Sequence, residues 1–186
     1  MEDERWRPLE KSASPAAPGA SSGAKTAAVS APSSPAGPVT SAVSCATSSL
    51  DVKQGLGQGY AGGVYEVIDF TNTSNAPCSL YGYPGVSLVT GPPYTQVGLA
   101  AKRSTTSGQV KLITLAPGAT ANATLQIVDA LNYPSATCGP TKAAALKVYP
   151  PNQTAPVYLP NTSTACSKSV QTMNIGPVQA GSGGST

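Results

Sequence analysis

The clearest pattern along the chain is a strict alternation of apolar and polar side chains over residues 121–127. Ala, Ala, Leu and Ile occupy the odd positions, whereas Asn, Thr and Gln occupy the even ones. Because successive side chains of a strand point to opposite faces of its sheet, this pattern predicts a strand with one face on the core and one in water. The preceding Ala116-Pro117-Gly118 predicts a tight turn, since Pro and Gly suit its central positions.

Short apolar segments of this kind recur between turn signals, and none shows sustained helical periodicity. The segment richest in β-branched and aromatic residues is 64–70, which stops at an Asn-Thr-Ser-Asn turn. Further candidate strands are residues 86–89, 97–101, 110–115, 146–149, 157–159 and 170–178. About eight or nine short strands at this spacing predict an all-β fold, an antiparallel β-sandwich with little helix.

The first 42 residues differ in composition from the rest. Between residues 12 and 41 nearly every position is Ala, Ser, Pro, Gly or Thr, and Lys25 carries the only charge. Such a segment cannot bury enough apolar surface to offset the entropy of ordering it. We therefore predict a disordered tail or linker over 1–42, a β-sandwich domain over 43–178 and a flexible C-terminal tail over 179–186.

Charge is scarce and scattered. Charged residues make up 10% of the chain and the net charge is +3, against about 25% charged residues in an average domain. Without a basic stripe the chain lacks the pattern of a nucleic-acid-binding protein. Residues 1–10 are charged, so no signal peptide is visible there. No run approaches the ~18–20 apolar residues of a membrane span, and we expect none in this chain.

The four cysteines are Cys45, Cys78, Cys138 and Cys166. None forms the Cys-x-x-Cys half-site that zinc and iron–sulfur sites normally show. Widely spaced cysteines of even number indicate two disulfides with three pairings open, of which we favour Cys45–Cys78 and Cys138–Cys166. Because disulfides persist outside the cytoplasm, this predicts an extracellular or cell-envelope protein. The alternative is four reduced, buried thiols in a cytosolic protein.

The sequence shows none of the residue combinations that are typical of catalytic sites. The chain has no histidine, the commonest general base and metal ligand. Glu66 and Asp69 are the closest acids of the predicted domain, but three positions apart on a strand they point to opposite faces and cannot flank one bond. No Ser-x-x-Lys pair lies in the domain, and no Asp-x-Asp run supports a calcium site. We predict no catalytic residue, no metal site, no cofactor and no enzymatic activity.

Tyrosine is unusually common, with eight Tyr against one Phe. Tyr81, Tyr83 and Tyr94 lie in or beside predicted turns. Tyrosine suits binding surfaces because it is large, rigid and polar at its tip. These three residues are therefore our candidate binding patch, and the alternative is that they pack over strand ends of a Phe-poor sandwich.

Several segments together resemble a known family. Its central mark is the string from Cys78 to Val89, Cys-Ser-Leu-Tyr-Gly-Tyr-Pro-Gly-Val-Ser-Leu-Val, which follows Asp-Phe-Thr-Asn-Thr-Ser at 69–74. The chain resembles actinobacterial exported domains of unknown function, many of them lipoproteins or wall-associated proteins with Ala/Pro/Ser linkers. The resemblance covers residues 43–178 and implies an immunoglobulin-like sandwich, two disulfides and an envelope location. It transfers no catalytic residue.

These observations favour a non-enzymatic, secreted or cell-envelope-associated binding or structural module. Its partner would be a cell-wall polymer, a glycan or an envelope protein. The alternative is a secreted inhibitor of extracellular proteases or other hydrolases, which would insert a disulfide-braced loop such as Thr137-Cys138-Gly139-Pro140 into its target. A hydrolase would require a pocket built around a carboxylate or a lysine.

Overall fold

A computed structural model describes residues 43–183 of the chain. The tail predicted over 1–42 and the last three residues lie outside that range. Within it the chain forms thirteen strands, two 3₁₀ turns (Thr47–Ser49 and Ala130–Asn132) and one helical turn, α1 (Ser135–Cys138). The strands are β1 (Val43–Ser44), β2 (Leu50–Gln54), β3 (Gln58–Tyr60), β4 (Gly63–Asn72), β5 (Cys78–Tyr81), β6 (Gly85–Val89), β7 (Lys102–Arg103), β8 (Leu112–Leu115), β9 (Thr120–Val128), β10 (Pro140–Tyr149), β11 (Val157–Cys166), β12 (Met173–Ile175) and β13 (Gln179–Ala180).

The largest sheet is built around the antiparallel pair β4 and β9. Its order is β2-β4-β9-β12-β7, with β3 added to β4 and β13 added to β9. The alternation over residues 121–127 is confirmed, because its apolar members are buried in the core: Ala121, Ala123, Leu125 and Ile127. On β4, Ile68 and Phe70 are fully buried on the same face. This sheet therefore supplies one wall of the core.

Two smaller sheets complete the fold. One has the order β11-β10-β6 and the other the order β1-β5-β8. Alternate residues of β10 and β6 join Phe70 and Leu125 in one apolar cluster: Leu146, Val148, Val86 and Leu88. The predicted all-β sandwich is thus confirmed. It departs from purely antiparallel pairing at β1/β5 and β12/β7, which are short parallel pairs.

Both predicted disulfides are present. Cys45 is bonded to Cys78 and Cys138 to Cys166, and no free cysteine occurs in the described range. The first joins the segment after β1 to the start of β5. The second lies where β10 begins and β11 ends, beside the Pro140–Cys166 register pair. Two disulfides are compatible with an extracellular location.

The folded region continues past residue 178. Gln179 and Ala180 form β13 against Asn122 and Ala121 of β9. Gly183 N then donates a hydrogen bond to Asp69 Oδ1 (2.9 Å). A short polar segment without apolar periodicity gave no signal of this pairing, because the bonds are made by its backbone. Among residues 43–183, no helix is long and apolar enough to cross a membrane.

Candidate binding site

An open cavity of about 590 Å³ lies between the β5–β6 connection, β7 and the turn after β10. Three tyrosines, one arginine and two side-chain amides dominate its lining: Tyr81, Tyr83, Tyr149, Arg103, Asn152 and Gln153. No acidic residue lines it. The cavity therefore combines aromatic surface with hydrogen-bond donors and one positive charge.

The β5–β6 connection brings Tyr81 and Tyr83 to this cavity. Leu80 is buried in the core, so the next residue, Tyr81, points outward and is 53% exposed. Gly82 has φ +99°, a conformation that favours glycine, and its carbonyl accepts a hydrogen bond from Val178 N (2.9 Å). Pro84 is buried beyond it. The residues on both sides of Tyr83, Gly82 and Pro84, are therefore held in place by contacts with the rest of the domain.

Tyr149 reaches the cavity from the outer face of β10. Leu146 and Val148 point into the core, so Lys147 and Tyr149 point to the other face. Across the sheet Tyr149 pairs with Gly85, and a Cβ atom built there would lie 3.5 Å from Tyr149 Cβ. Because glycine has no side chain, the flank of the tyrosine ring on this side stays open.

Two cations lie over tyrosine rings in or beside the cavity. Arg103 Cζ is 5.6 Å from the centroid of the Tyr83 ring. Lys147 Nζ is 5.1 Å from the centroid of the Tyr149 ring. Such contacts orient a cation electrostatically without neutralising it. Hydrogen bonding to Tyr149 raises the pKa of Lys147 above its ordinary value, which favours the charged form of this side chain.

The turn after β10 contributes the amides. Asn152 adopts φ 60° and its Nδ2 donates to the carbonyl of Tyr81 (3.3 Å). Gln153 Oε1 accepts a hydrogen bond from Thr47 N (3.3 Å), while its Nε2 donates to the carbonyl of Asn152 (3.3 Å). Together these bonds join the turn to the end of β5 and to the first 3₁₀ turn, and so fix the rim of the cavity.

Of the three predicted tyrosines, only Tyr81 and Tyr83 line the cavity. Tyr94 instead stacks on Tyr158 of β11, with ring centroids 4.1 Å apart and an interplanar angle of 20°. The binding patch predicted from the sequence did not include Tyr149 and Arg103, which come from distant segments. The sequence signal for Tyr149 was its place in a predicted strand whose alternate residues, Leu146 and Val148, face inward.

The remaining sequence candidates lie apart from one another. Glu66 points toward the β11 side of the sandwich and accepts two hydrogen bonds from Asn161 Nδ2 (2.9 and 3.1 Å). Asp69 faces the opposite side and accepts from Gly183 N, so the predicted separation of these acids is confirmed. Among the described residues no group of three His, Cys, Asp or Glu side chains could hold a metal ion.

The segment proposed as an inhibitory loop is compact. Ser135–Cys138 forms the helical turn α1, and Gly139 ends it in the left-handed region with φ 59°. Cys138 is fully buried, and Cys138 N and Gly139 N donate to the carbonyls of Pro134 and Ser135. Of the predicted disulfide-braced loop, Thr137 and Cys138 therefore belong to a helical turn and Pro140 begins β10.

Comparison with known proteins identifies one family. Its description is a domain of unknown function, DUF4232, and it matches residues 45–179. The match covers more than half of the chain and includes both disulfides and all the tyrosines of the cavity. No curated protein and no solved structure matches the chain. The chain therefore belongs to the DUF4232 family of domains of unknown function.

Proposed function

We propose that this domain is a non-enzymatic, secreted or envelope-associated module that binds a glycan in the tyrosine-lined cavity. One observation carries the proposal: three tyrosines from two separate chain segments converge on an open, polar cavity with no acid in its lining. Ligand-binding sites typically combine aromatic surface with a few fixed polar groups, as this cavity does.

The chemistry of the cavity matches that of a sugar. A pyranose ring has faces rich in C–H groups and a rim of hydroxyl groups. The rings of Tyr83 and Tyr149 offer flat surfaces for the C–H faces, and their hydroxyls offer polar contacts. The amides of Asn152 and Gln153 can donate to and accept from sugar hydroxyls. Asn152 and Gln153 each use only part of their hydrogen-bonding capacity within the protein. An apolar ligand would leave the remaining donors and acceptors, and the charge of Arg103, without polar contacts.

The absence of catalysis is part of the proposal. The chain has no histidine, and all four cysteines are paired in disulfides. Glu66 and Asp69, the nearest pair of acids in the sequence, bond to different partners on opposite faces of β4. These features support a module that binds its ligand without converting it.

The proposed location follows from two independent features. Two disulfides are typical of proteins that work in oxidising surroundings. The Cys78–Val89 string also resembles actinobacterial exported domains. Both support a place in the medium or the cell envelope, where wall polymers and other glycans are the abundant ligands.

Binding of the full chain to a panel of neutral and charged oligosaccharides, measured by isothermal titration calorimetry, tests the proposal. We expect Tyr83→Ala to weaken binding roughly tenfold, as for a central aromatic contact. Tyr65→Ala is the matched control, because Tyr65 is also partly exposed (38%) but lies on β4, away from the cavity. If no oligosaccharide binds, or if both variants bind like the parent, the proposal is wrong.

The alternative of a secreted hydrolase inhibitor has weaker support. Inhibition by an inserted loop requires exposed residues, and Cys138 at the centre of the predicted loop is buried. A panel of serine proteases and metalloproteases assayed with micromolar protein distinguishes the two functions. We expect no inhibition, and stoichiometric inhibition of any member would favour the alternative.

A further inference from the structure

Aromatic side chains continue from the cavity along the outer face of the sheet β11-β10-β6. Lys147 of β10 pairs with Tyr158 of β11, and Tyr149 follows two residues later on the same face. Adjacent strands lie about 4.8 Å apart and same-face neighbours about 6.7 Å apart along a strand, so Tyr158 and Tyr149 are offset by roughly 8 Å. Lys147 is the cross-strand partner of Tyr158 and the same-face neighbour of Tyr149, so it adjoins both. The three side chains therefore share one face of the sheet.

Tyr94, from the loop after β6, adds a further ring to this surface. Its ring stacks on that of Tyr158, and both residues remain exposed, by 36% and 37%. Tyr94 has φ 60°, an uncommon conformation for a bulky residue, and Tyr94 N donates to the carbonyl of Gly91 (2.9 Å). The loop after β6 therefore holds an aromatic ring outward in a conformation with a local cost, as is common in binding surfaces.

The charge of this surface has one sign. Lys147 and Arg103 are its cations, and each lies over a tyrosine ring. The acids of the described range are engaged elsewhere. Asp51 pairs with Lys53, Asp129 accepts from Leu131 N, and Glu66 and Asp69 make the contacts given above. An anionic ligand would meet two cations here and no acidic side chain.

We propose that the tyrosine strip (Tyr94, Tyr158, Lys147, Tyr149, Tyr83 and Arg103) binds a linear anionic glycan of several sugar units, with its carboxylate or phosphate groups at Lys147 and Arg103. The inference rests on the proposed function and specifies its ligand: a chain rather than a single sugar, and charged rather than neutral. The cavity holds one end of the chain, and Tyr94 and Tyr158 contact units further along.

Single-stranded nucleic acid also combines rings with negative charge, but the strip fits it less well. Each nucleotide carries a phosphate, and proteins that track such a backbone use grooves dense in Lys and Arg. Two cations along the strip match a glycan in which charged groups are spaced by uncharged sugar surface. Poly-dT is therefore included in the test as the competing ligand.

The test measures affinity against ligand length and charge with the full chain. Galacturonic acid and its linear oligomers up to the hexamer supply carboxylates, methyl-esterified hexamer supplies the uncharged counterpart, and a phosphorylated mannan supplies phosphates. We expect the hexamer to bind at least tenfold more tightly than the monomer, since further contacts become intramolecular. We expect esterification or high salt to remove most of that gain.

Variants separate the strip residues outside the cavity from those that line it. We expect Tyr158→Ala and Tyr94→Ala each to weaken hexamer binding about fivefold while leaving monomer binding unchanged, and Lys147→Gln to weaken hexamer binding by a similar factor. Tyr65→Ala and Lys111→Gln, which alter exposed residues outside the strip, should leave both unchanged. Circular dichroism and thermal midpoints verify that each variant is folded, and Tyr94 lies outside the strands, so its replacement leaves the sheets intact.

The outcomes distinguish the two proposals. Equal affinity for monomer and hexamer, or loss of affinity only with Tyr83→Ala, overturns the strip and leaves the cavity as a glycan site. Equal affinity for the acidic and esterified hexamers overturns the charge assignment. Tighter binding of poly-dT than of any glycan overturns the ligand class. If no glycan binds at all, the proposed function fails together with the inference.

Discussion

At the scale of the residue, Asn72 shows how one buried side chain organises a turn. It is fully buried at the end of β4. Its Nδ2 donates to the carbonyls of Ala76 (2.9 Å) and Leu115 (3.0 Å). Its Oδ1 accepts from both the N–H (3.0 Å) and the hydroxyl of Ser74 (2.7 Å). At the end of β4, next to β8, the Asn72 side chain thus makes hydrogen bonds of the kind that backbone groups make elsewhere in the sheet.

Replacing Asn72 by alanine should be strongly destabilising. The carbonyl of Leu115 and the amide of Ser74 would be left without these partners, and a buried unsatisfied group costs about 1–3 kcal/mol. We expect Asn72→Ala to lower the free energy of unfolding by about 3 kcal/mol, measured by urea denaturation. The control is Asn122→Ala, which loses one exposed bond to Gly181 O and should cost below about 1 kcal/mol. Equal losses in the two variants would contradict this account of Asn72.

At the scale of the element, the sequence predicted strand positions well where a strand has one solvent-exposed face and one buried face. The alternation over 121–127 identified the middle of β9, and the β-branched segment 64–70 identified most of β4. Glu66 interrupts the apolar face of β4 because its carboxylate bonds to Asn161 across the sandwich. That partner lies 95 residues away and has no local signal.

The sequence pattern underestimated the lengths of strands that are rich in small and polar residues. β10 and β11 each have ten residues, whereas the pattern indicated three or four, because Ala143–Ala145 and the polar half of β11 carry little apolar contrast. Their pairing comes from each other's backbone. Conversely, residues 97–101 form no strand. Val97 N and Ala101 N donate instead to β6 carbonyls (2.8 Å each) as separate bonds.

The disulfides stabilise different elements. Cys45–Cys78 spans 33 residues and belongs to the main core, whereas Cys138–Cys166 spans 28 residues and packs with Ala130 in a small separate cluster. In the chain-entropy model each bond contributes about 3–4 kcal/mol. We expect the Cys→Ser double variants at either pair to lose stability by that order in urea denaturation. A loss below about 1 kcal/mol for either pair would contradict a structural role.

The open flank of Tyr149 gives a prediction at the β6–β10 pair. Gly85 is exposed on β6 and meets nothing closer than Tyr149, so a larger side chain fits but covers the tyrosine ring. We expect Gly85→Leu to weaken oligosaccharide binding about tenfold without lowering the thermal midpoint, since leucine packs better than glycine in a strand. Gly59→Leu on β3, where a Cβ atom meets nothing within 4 Å, is the control. Unchanged affinity in Gly85→Leu would exclude this side of Tyr149 from the binding surface.

At the scale of the whole molecule, the sandwich brings together tyrosines that are far apart in the sequence. Tyr83 and Tyr149 are 66 positions apart in the sequence, and neither has a local pattern that reveals the other. The sequence did provide the class of fold, both disulfide pairs and two of the cavity's tyrosines. It could not provide Arg103, because that residue reaches the cavity only through the parallel pairing of β7 with β12.

A ligand bound in the tyrosine-lined cavity would change the surroundings of the residues that line it. In a ¹⁵N-labelled sample of the full chain titrated with galacturonate hexamer, we expect the largest shifts in backbone amide resonances at Tyr83, Gly85, Tyr149 and Asn152. Smaller shifts should follow at Lys147, Tyr158 and Tyr94. Shifts confined to the outer face of β4, around Tyr65 and Val67, would contradict the account, as would a titration that leaves the spectrum unchanged.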